Sequence, residues 1–206
     1  MDILAKLESV GAALRNDHFV YNSGLHGEVY INKDALYPHT QATSEVCQAL
    51  AQAAQELAPE IVVGPALGGI ILAQWTAHHL STLLGREILG AYSEKDNQGE
   101  QILRRGYDKL VSGKRVLIVE DLTTTGGSVK KLVSEVKKVG GQVVGVVVML
   151  NRGGGAVTEA TIGAPFLALD SIAIQTYSAS DCPLCAQNRP INTSVGHGQK
   201  FLEGKK

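Results

Sequence analysis

Apolar residues recur along the chain as short runs and helical stripes in alternation. Ile3, Leu4, Leu7, Val10 and Leu14 share one face of a helix over 1–14, and 21–35 reads as turn and strand. The Ala/Gln-rich stretch 43–57 has helical spacing; 61–63 predicts a short strand, 69–84 a helix, and 88–92 and 116–119 two more strands. From Val129 the spacing turns helical again, with Val129, Leu132, Val133, Val136 and Val139 on one stripe that stops at Gly140-Gly141. Val143 to Leu150 and Phe166 to Leu169 are the last apolar strands. This order predicts an α/β fold, a parallel twisted sheet flanked by helices, with ligands at the carboxyl ends of the strands. The hydrophilic stretch 93–114 is too long for a simple turn, and it reads as a mobile arm.

Size and charge narrow the function classes. With 206 residues, 44% hydrophobic and 19% charged, the chain has the composition of one globular domain with room for a small appended subdomain. A formal net charge of -1 provides no global field for nucleic acid, so an anionic ligand must be met by local charges and amides. No apolar run approaches the ~18 residues needed to span a bilayer, and the amphipathic amino-terminal stretch is unlike a signal peptide. A cytoplasmic protein with neither a nucleic-acid nor a membrane partner is therefore expected. Cys47, Cys182 and Cys185 make an odd count that suggests no disulfide framework and agrees with a reducing compartment. No G-x-x-x-x-G-K-[ST] pattern occurs, which excludes a P-loop ATPase.

The most informative stretch is 116–128. The run Val116 to Val119 suits a strand covered on both faces, and the helix from Val129 begins a few residues later, so the intervening turn opens a helix. Amides at a helix start are unpaired and lie at the positive end of the dipole, so Thr123 to Ser128 can wrap a phosphate with amides and hydroxyls. Gly126 and Gly127 permit close backbone approach. Glu120 and Asp121 at the strand end can accept hydrogen bonds from vicinal sugar hydroxyls, giving a site for both ends of a ribose 5-phosphate. The plainer alternative is a tight strand-to-helix connection with solvated acids and a Thr/Ser cap.

This segment resembles the binding motif for phosphoribosyl pyrophosphate (PRPP) in type I phosphoribosyltransferases: a hydrophobic strand, two acids, a variable residue and a Thr/Gly/Ser loop. The resemblance implies that Glu120, Asp121, Leu122, Thr123, Thr124, Thr125, Gly126, Gly127 and Ser128 bind PRPP. Glu120 and Asp121 would hold the ribose hydroxyls, and Asp121 would also stabilise positive charge growing on the sugar. A second strand-to-helix junction, Gly64-Pro65-Ala66-Leu67-Gly68-Gly69, is on its own as consistent with packing as with binding. The resemblance gives Ala66, Leu67, Gly68 and Gly69 to pyrophosphate. Many relatives carry a lysine where this chain has Gly68, which leaves the pyrophosphate charge to Mg²⁺ and to residues from elsewhere.

The arm concentrates Lys95, Arg104, Arg105 and Lys109, either as ordinary solvated charges or as a basic lid. Through Arg104-Arg105-Gly106 it resembles the loop of orotate phosphoribosyltransferases that closes over the active site, often that of the partner subunit. A homodimer is implied, with Lys95 and Arg104 in catalysis and Arg105 on PRPP. Residues 19–26 and Tyr30-Ile31-Asn32-Lys33 look like that family's amino-terminal orotate segment, with His26 where a lysine is usual and Lys33 farther on. Arg152, after the 143–150 strand, can pair with the carboxylate of a planar acid; otherwise it is a surface arginine. Orotate contacts are thereby expected from Thr124, Arg152, Lys33 and His26. The family implies one phosphoribosyltransferase domain over 1–206, with a small hood subdomain from about 1–40 and 170–206.

Cys182-Pro-Leu-Cys185 has a zinc-ligand spacing, but a closed site needs four donors and only Asp181 and His197 suggest themselves; a capped, reduced turn is favoured. Such a segment recurs among the same relatives. The implied reaction is Mg²⁺-assisted transfer of ribose 5-phosphate from PRPP to N1 of orotate, giving orotidine 5′-monophosphate and pyrophosphate. Two rivals stay open: a phosphoribosyltransferase for another base, and a non-catalytic PRPP-sensing regulator on the same fold.

Overall fold

A computed structural model describes residues 1–204. Along the chain come helix α1 (Ile3–Ser9), strands β1 (Ala13–Val20) and β2 (His26–Ile31), a 3-10 turn at Lys33–Ala35, helix α2 (Thr40–Ala54), strand β3 (Ile61–Pro65), helix α3 (Gly68–Leu84), strands β4 (Leu89–Lys95) and β5 (Gln101–Ile102) and helix α4 (Tyr107–Val111). Strand β6 (Arg115–Thr123), helix α5 (Gly127–Lys138), strand β7 (Gln142–Asn151), helix α6 (Glu159–Ile162), strand β8 (Phe166–Ser171) and the short helices α7 (Pro183–Ala186) and α8 (Gly198–Glu203) follow. The chain falls into two compact units, one of 1–3 and 37–172, the other of 4–36 and 173 onward.

The larger unit is a six-stranded sheet in the order β5-β4-β3-β6-β7-β8. All pairings are parallel except β4 with β5. Successive residues of the central strands serve opposite faces. Ile61, Val63, Val116 and Ile118 pack with Val129, Leu132, Val133 and Val136 of α5, whereas Val62, Leu117 and Val119 pack with Leu50 of α2 and Leu72 and Leu80 of α3. Because both faces are covered, these strands are apolar without alternation. The parallel order leaves the carboxyl ends of β3, β6 and β7 along one edge, each followed by a ligand-competent loop.

The smaller unit holds the antiparallel β1–β2 hairpin and the carboxy-terminal segment. That segment runs beside β1, where the Asn192 amide donates to the His18 carbonyl and the His197 amide to the Val20 carbonyl, both at 2.8 Å. Tyr177 and His26 exchange backbone hydrogen bonds of 2.8 and 2.9 Å.

Two expectations are corrected. The first helix ends at Ser9 and does not reach Leu14, because Gly11 takes φ +70 and the chain turns into β1, where Leu14 pairs with Tyr30. The stretch 93–114 is a folded hairpin and helix in place of an unstructured arm. Ser93 Oγ donates to Gln101 Oε1 at 2.7 Å, the Leu103 amide donates to Glu135 Oε1 at 3.2 Å, and Leu103 and Val111 enter the core. Lys131 of α5 ties the hairpin turn down through Glu100 at 2.9 Å and the Gly99 carbonyl at 2.8 Å.

Candidate active site

The edge of the sheet at β6 forms the candidate site. β6 continues past its apolar run, so Glu120 and Asp121 belong to the strand itself and are only 8% and 3% exposed. Burying two adjacent carboxylates is costly unless each is hydrogen-bonded. Glu120 Oε1 accepts the Asp121 amide at 3.0 Å, Asp121 Oδ1 accepts the Leu122 amide at 2.6 Å, and Asp121 Oδ2 accepts the Tyr37 hydroxyl at 2.6 Å. Tyr37, which precedes α2, had no signal in the sequence: a lone tyrosine before a Pro-His pair matches no spacing rule.

Beyond the acids the chain bends through Thr123, Thr124, Thr125 and Gly126 into α5. Gly126 adopts φ +74, a conformation that strains other residues, and a Cβ there would approach Ile162 Cδ1 to 2.6 Å. The Thr125 hydroxyl accepts the Gly127 amide at 3.4 Å. The backbone N–H groups of Thr124, Thr125 and Gly126 make no hydrogen bond among the described residues. Glu120, Leu122, Thr123 to Ser128 and Val129 line a cavity of ≈ 220 Å³. The cavity therefore joins the Glu120 carboxylate to amides at the positive end of a helix, an arrangement suited to a polyol carrying a terminal phosphate.

Two neighbouring loops flank the end of β6. Gly68 opens α3, and any side chain at that position would run into Asp121 Oδ2 and the Tyr37 hydroxyl, so the lack of a lysine here coincides with the Tyr37–Asp121 bond. The loop of Ala66, Leu67, Gly68 and Gly69 is thus next to the acids; the Ala66 amide donates to the Ser93 carbonyl at 2.9 Å, and Leu67 is 84% exposed. On the other side the Arg152 amide donates to the Thr123 carbonyl at 2.7 Å. Asn151 braces that turn, accepting the Gly153 amide at 2.8 Å and donating to the Gly154 carbonyl at 3.2 Å. Arg152 Nε is buried with no hydrogen-bond partner among the described residues, a guanidinium poised for an acceptor that the protein does not supply.

The basic residues of the hairpin are placed differently. Arg105 pairs with Glu94 at 2.9 Å, and that hydrogen bond raises the guanidinium pKa above its usual value. Lys95 and Arg104 are exposed and form no ion pair among the described residues. Lys33 and His26 lie in the smaller unit. Lys33 is half-buried and 3.7 Å from Asp34. His26 is fully buried, with Nδ1 facing His18 Nε2 at 2.8 Å and Cys185 Sγ at 3.5 Å. A ring sealed in that cluster does not fit the orotate contact expected of it.

A phosphoribosyl transferase domain model matches residues 32–162. Orotate phosphoribosyltransferase of Desulforamulus reducens is 36% identical over 86% of this chain and 87% of its own. Among solved structures, the Mycobacterium tuberculosis orotate phosphoribosyltransferase in complex with inorganic phosphate superposes with a TM-score of 0.64 at 25% identity, over 82% of this chain and 95% of that one. The same enzyme in complex with PRPP gives 0.56 at 27% identity, over 69% and 81%. The chain belongs to the phosphoribosyltransferase family, among the orotate phosphoribosyltransferases.

Proposed function

We propose that the protein transfers ribose 5-phosphate from PRPP to N1 of orotate, forming orotidine 5′-monophosphate and pyrophosphate, a step of pyrimidine nucleotide synthesis. The observation that carries the reading is the cavity lined by buried Glu120 and by the loop whose unpaired amides open α5, with buried Asp121 next to Glu120 in β6. The amides and hydroxyls of Thr123 to Ser128 take the 5′-phosphate. Glu120 and Asp121 take the ribose hydroxyls, and Asp121, oriented by Tyr37, places negative charge beside the anomeric carbon as the carbon–oxygen bond to pyrophosphate lengthens. Orotate ionises at N1 readily enough to attack, so the protein mainly positions reactants and excludes water, and no Ser, Cys or His nucleophile is needed.

The donor set suits Mg²⁺: Glu120 in the cavity lining and Asp121 beside it in β6 offer carboxylate oxygens, and the lining contains no imidazole or thiol. Glu120 and Asp121 would hold the ion through the PRPP hydroxyls, and the ion would neutralise charge on the leaving pyrophosphate. The loop of Ala66 to Gly69 takes the pyrophosphate, with the Ala66 amide already given to Ser93; Lys95, Arg104 and Arg105 supply positive charge from the hairpin. Arg152 and Thr124 recognise orotate, with Lys33 as a further contact. A homodimer in which the basic segment serves the partner's site, in a cytoplasmic setting, completes the reading; its support is the family likeness and three cysteines that are in no disulfide. No helix among the described residues is long and apolar enough to cross a membrane.

The test is a base panel. With PRPP and Mg²⁺, orotate should be consumed while uracil, adenine and hypoxanthine are left unchanged. Turnover of another base in preference to orotate would overturn the assignment.

A further inference from the structure

The smaller unit brings together four side chains that the phosphoribosyl chemistry does not use. His18 of β1 and His26 at the start of β2 are fully buried, Cys182 is 2% exposed, and Cys185 is partly buried on the first turn of α7. Their nearest donor atoms all lie within 4.8 Å of one another. Cys182 Sγ and Cys185 Sγ are 3.7 and 3.8 Å from His18 Nε2, and Cys185 Sγ is 3.5 Å from His26 Nδ1.

We propose that His18 Nε2, His26 Nδ1, Cys182 Sγ and Cys185 Sγ form a closed, tetrahedral Zn²⁺ site that staples the carboxy-terminal segment to the β1–β2 hairpin. Zinc bonds of about 2.3 Å to sulfur and about 2.0 Å to nitrogen require tetrahedron edges of about 3.6 Å between N and S and about 3.3 Å between the nitrogens. Three of the four sulfur–nitrogen separations, at 3.7, 3.8 and 3.5 Å, already match. The imidazoles, with Nε2 and Nδ1 at 2.8 Å, need to part by about 0.5 Å to admit the ion. His18 is already oriented as a ligand, since Nδ1 faces the Arg189 carbonyl at 2.9 Å; donation there leaves Nε2 with its lone pair toward the cluster. Arg189 is in turn fixed by Glu28 at 3.0 Å and by the Asn16 carbonyl, so that carbonyl is held in place.

Two thiolates and two imidazoles in a tetrahedron select zinc over the hard cations, and four protein donors leave no open position, which makes the role structural. The sequence could suggest Cys182 and Cys185 but not their partners. Asp181 and His197, the remaining candidates by sequence, are exposed, and Asp181 is instead bonded by the hydroxyls of Ser178 and Ser180. A unit with a small core gains most from such a cross-link. On binding, each thiol gives up its proton to solvent and the ion keeps its oxidation state.

Metal analysis of the full chain, purified without a metal-affinity tag or chelator, should find about one zinc ion per chain. Cys182→Ser/Cys185→Ser should lower it at least tenfold, and Cys47→Ala should not, because Cys47 lies in the core of the larger unit. If the double variant fails to fold, the wild type still decides. An organomercurial should release zinc in step with titration of Cys182 and Cys185, and Co²⁺ exchanged into the site should show the visible absorption of a tetrahedral thiolate complex. Wild-type protein that contains no zinc and whose Cys182 and Cys185 react freely in the native state would overturn the proposal, as would iron in the site. Because the readout is metal content, failure here would leave the orotate reaction untouched.

Discussion

Tyr37 donates its hydroxyl to Asp121 with 2.6 Å between Oη and Oδ2, and the bare Cα of Gly68 is what leaves room for that bond. The pair fixes the carboxylate while its other oxygen accepts the Leu122 amide. Tyr37→Phe removes one charge-assisted bond, worth about 1.5 kcal/mol, and should lower kcat/KM for PRPP about tenfold while Tm falls by only a few degrees. Steady-state kinetics with PRPP varied at saturating orotate checks this; an unchanged kcat/KM would mean Asp121 does not depend on the tyrosine.

The acids are expected to matter to turnover more than to folding. Asp121→Asn and Glu120→Gln keep shape and most hydrogen bonds, so Tm should move little, whereas kcat should fall roughly 10²-fold or more through lost electrostatic stabilisation. Parallel melting and turnover measurements distinguish this from a structural role, in which Tm would drop together with activity.

Gly126→Ala combines two penalties: a φ of +74 and a Cβ placed 2.6 Å from Ile162 Cδ1. A loss of about 1–3 kcal/mol is expected, read as a Tm drop of roughly 2–4 °C per kcal/mol, with a raised Kd for PRPP. Denaturant melts and calorimetric titration supply both quantities.

How much of this could be seen in advance differs between elements. The central strands were legible because burial on both faces leaves an unbroken apolar run from Val116 to Val119, and the α5 stripe because Val129, Leu132, Val133 and Val136 share a face. The acids and the loop that follows were legible because strand, carboxylates and glycine pair are contiguous. β1 was not, because Arg15-Asn16-Asp17-His18 lacks alternation; the ladder is irregular between Arg15 and Phe19, and Asn16 has φ +57. Tyr37 and His18 were hidden for a different reason: each acts through a residue distant in sequence, Asp121 in one case and Cys182 with Cys185 in the other. The strand and helix of the basic arm were not legible since its anchors, Gln101 and Leu103, are single residues among polar ones.

Arg152 should separate the two substrates. Arg152→Ala leaves the phosphate loop intact and removes the unpartnered guanidinium, so KM for orotate should rise about 10- to 100-fold while the Kd for PRPP stays within about twofold. Arg152→Lys should rescue poorly, because an ammonium cannot reproduce a paired contact. Equal losses for both substrates would place Arg152 outside base recognition.

Asp17 should mark the acid limb of stability. The Asn192 side chain, at 2.7 Å, lowers the Asp17 pKa below its usual 3.8 against an opposing cost of burial; the His18 amide and the charge of Arg189 add to the lowering. A carboxyl whose folded value is depressed stabilises the fold fully above its unfolded value and loses that contribution as pH falls through the folded one. Asp17→Asn should therefore melt below the wild type at neutral pH, with the gap closing as pH drops below about 3.8. A gap constant with pH would show that the charge on Asp17 contributes nothing.

The most direct test is a crystal structure of the protein grown with PRPP and Mg²⁺. The expected density puts the 5′-phosphate on the amides between Thr124 and Ser128 and the ribose hydroxyls on Glu120 and Asp121. A phosphate bound elsewhere, with that cavity filled only by water and the two acids untouched by sugar, would contradict the account.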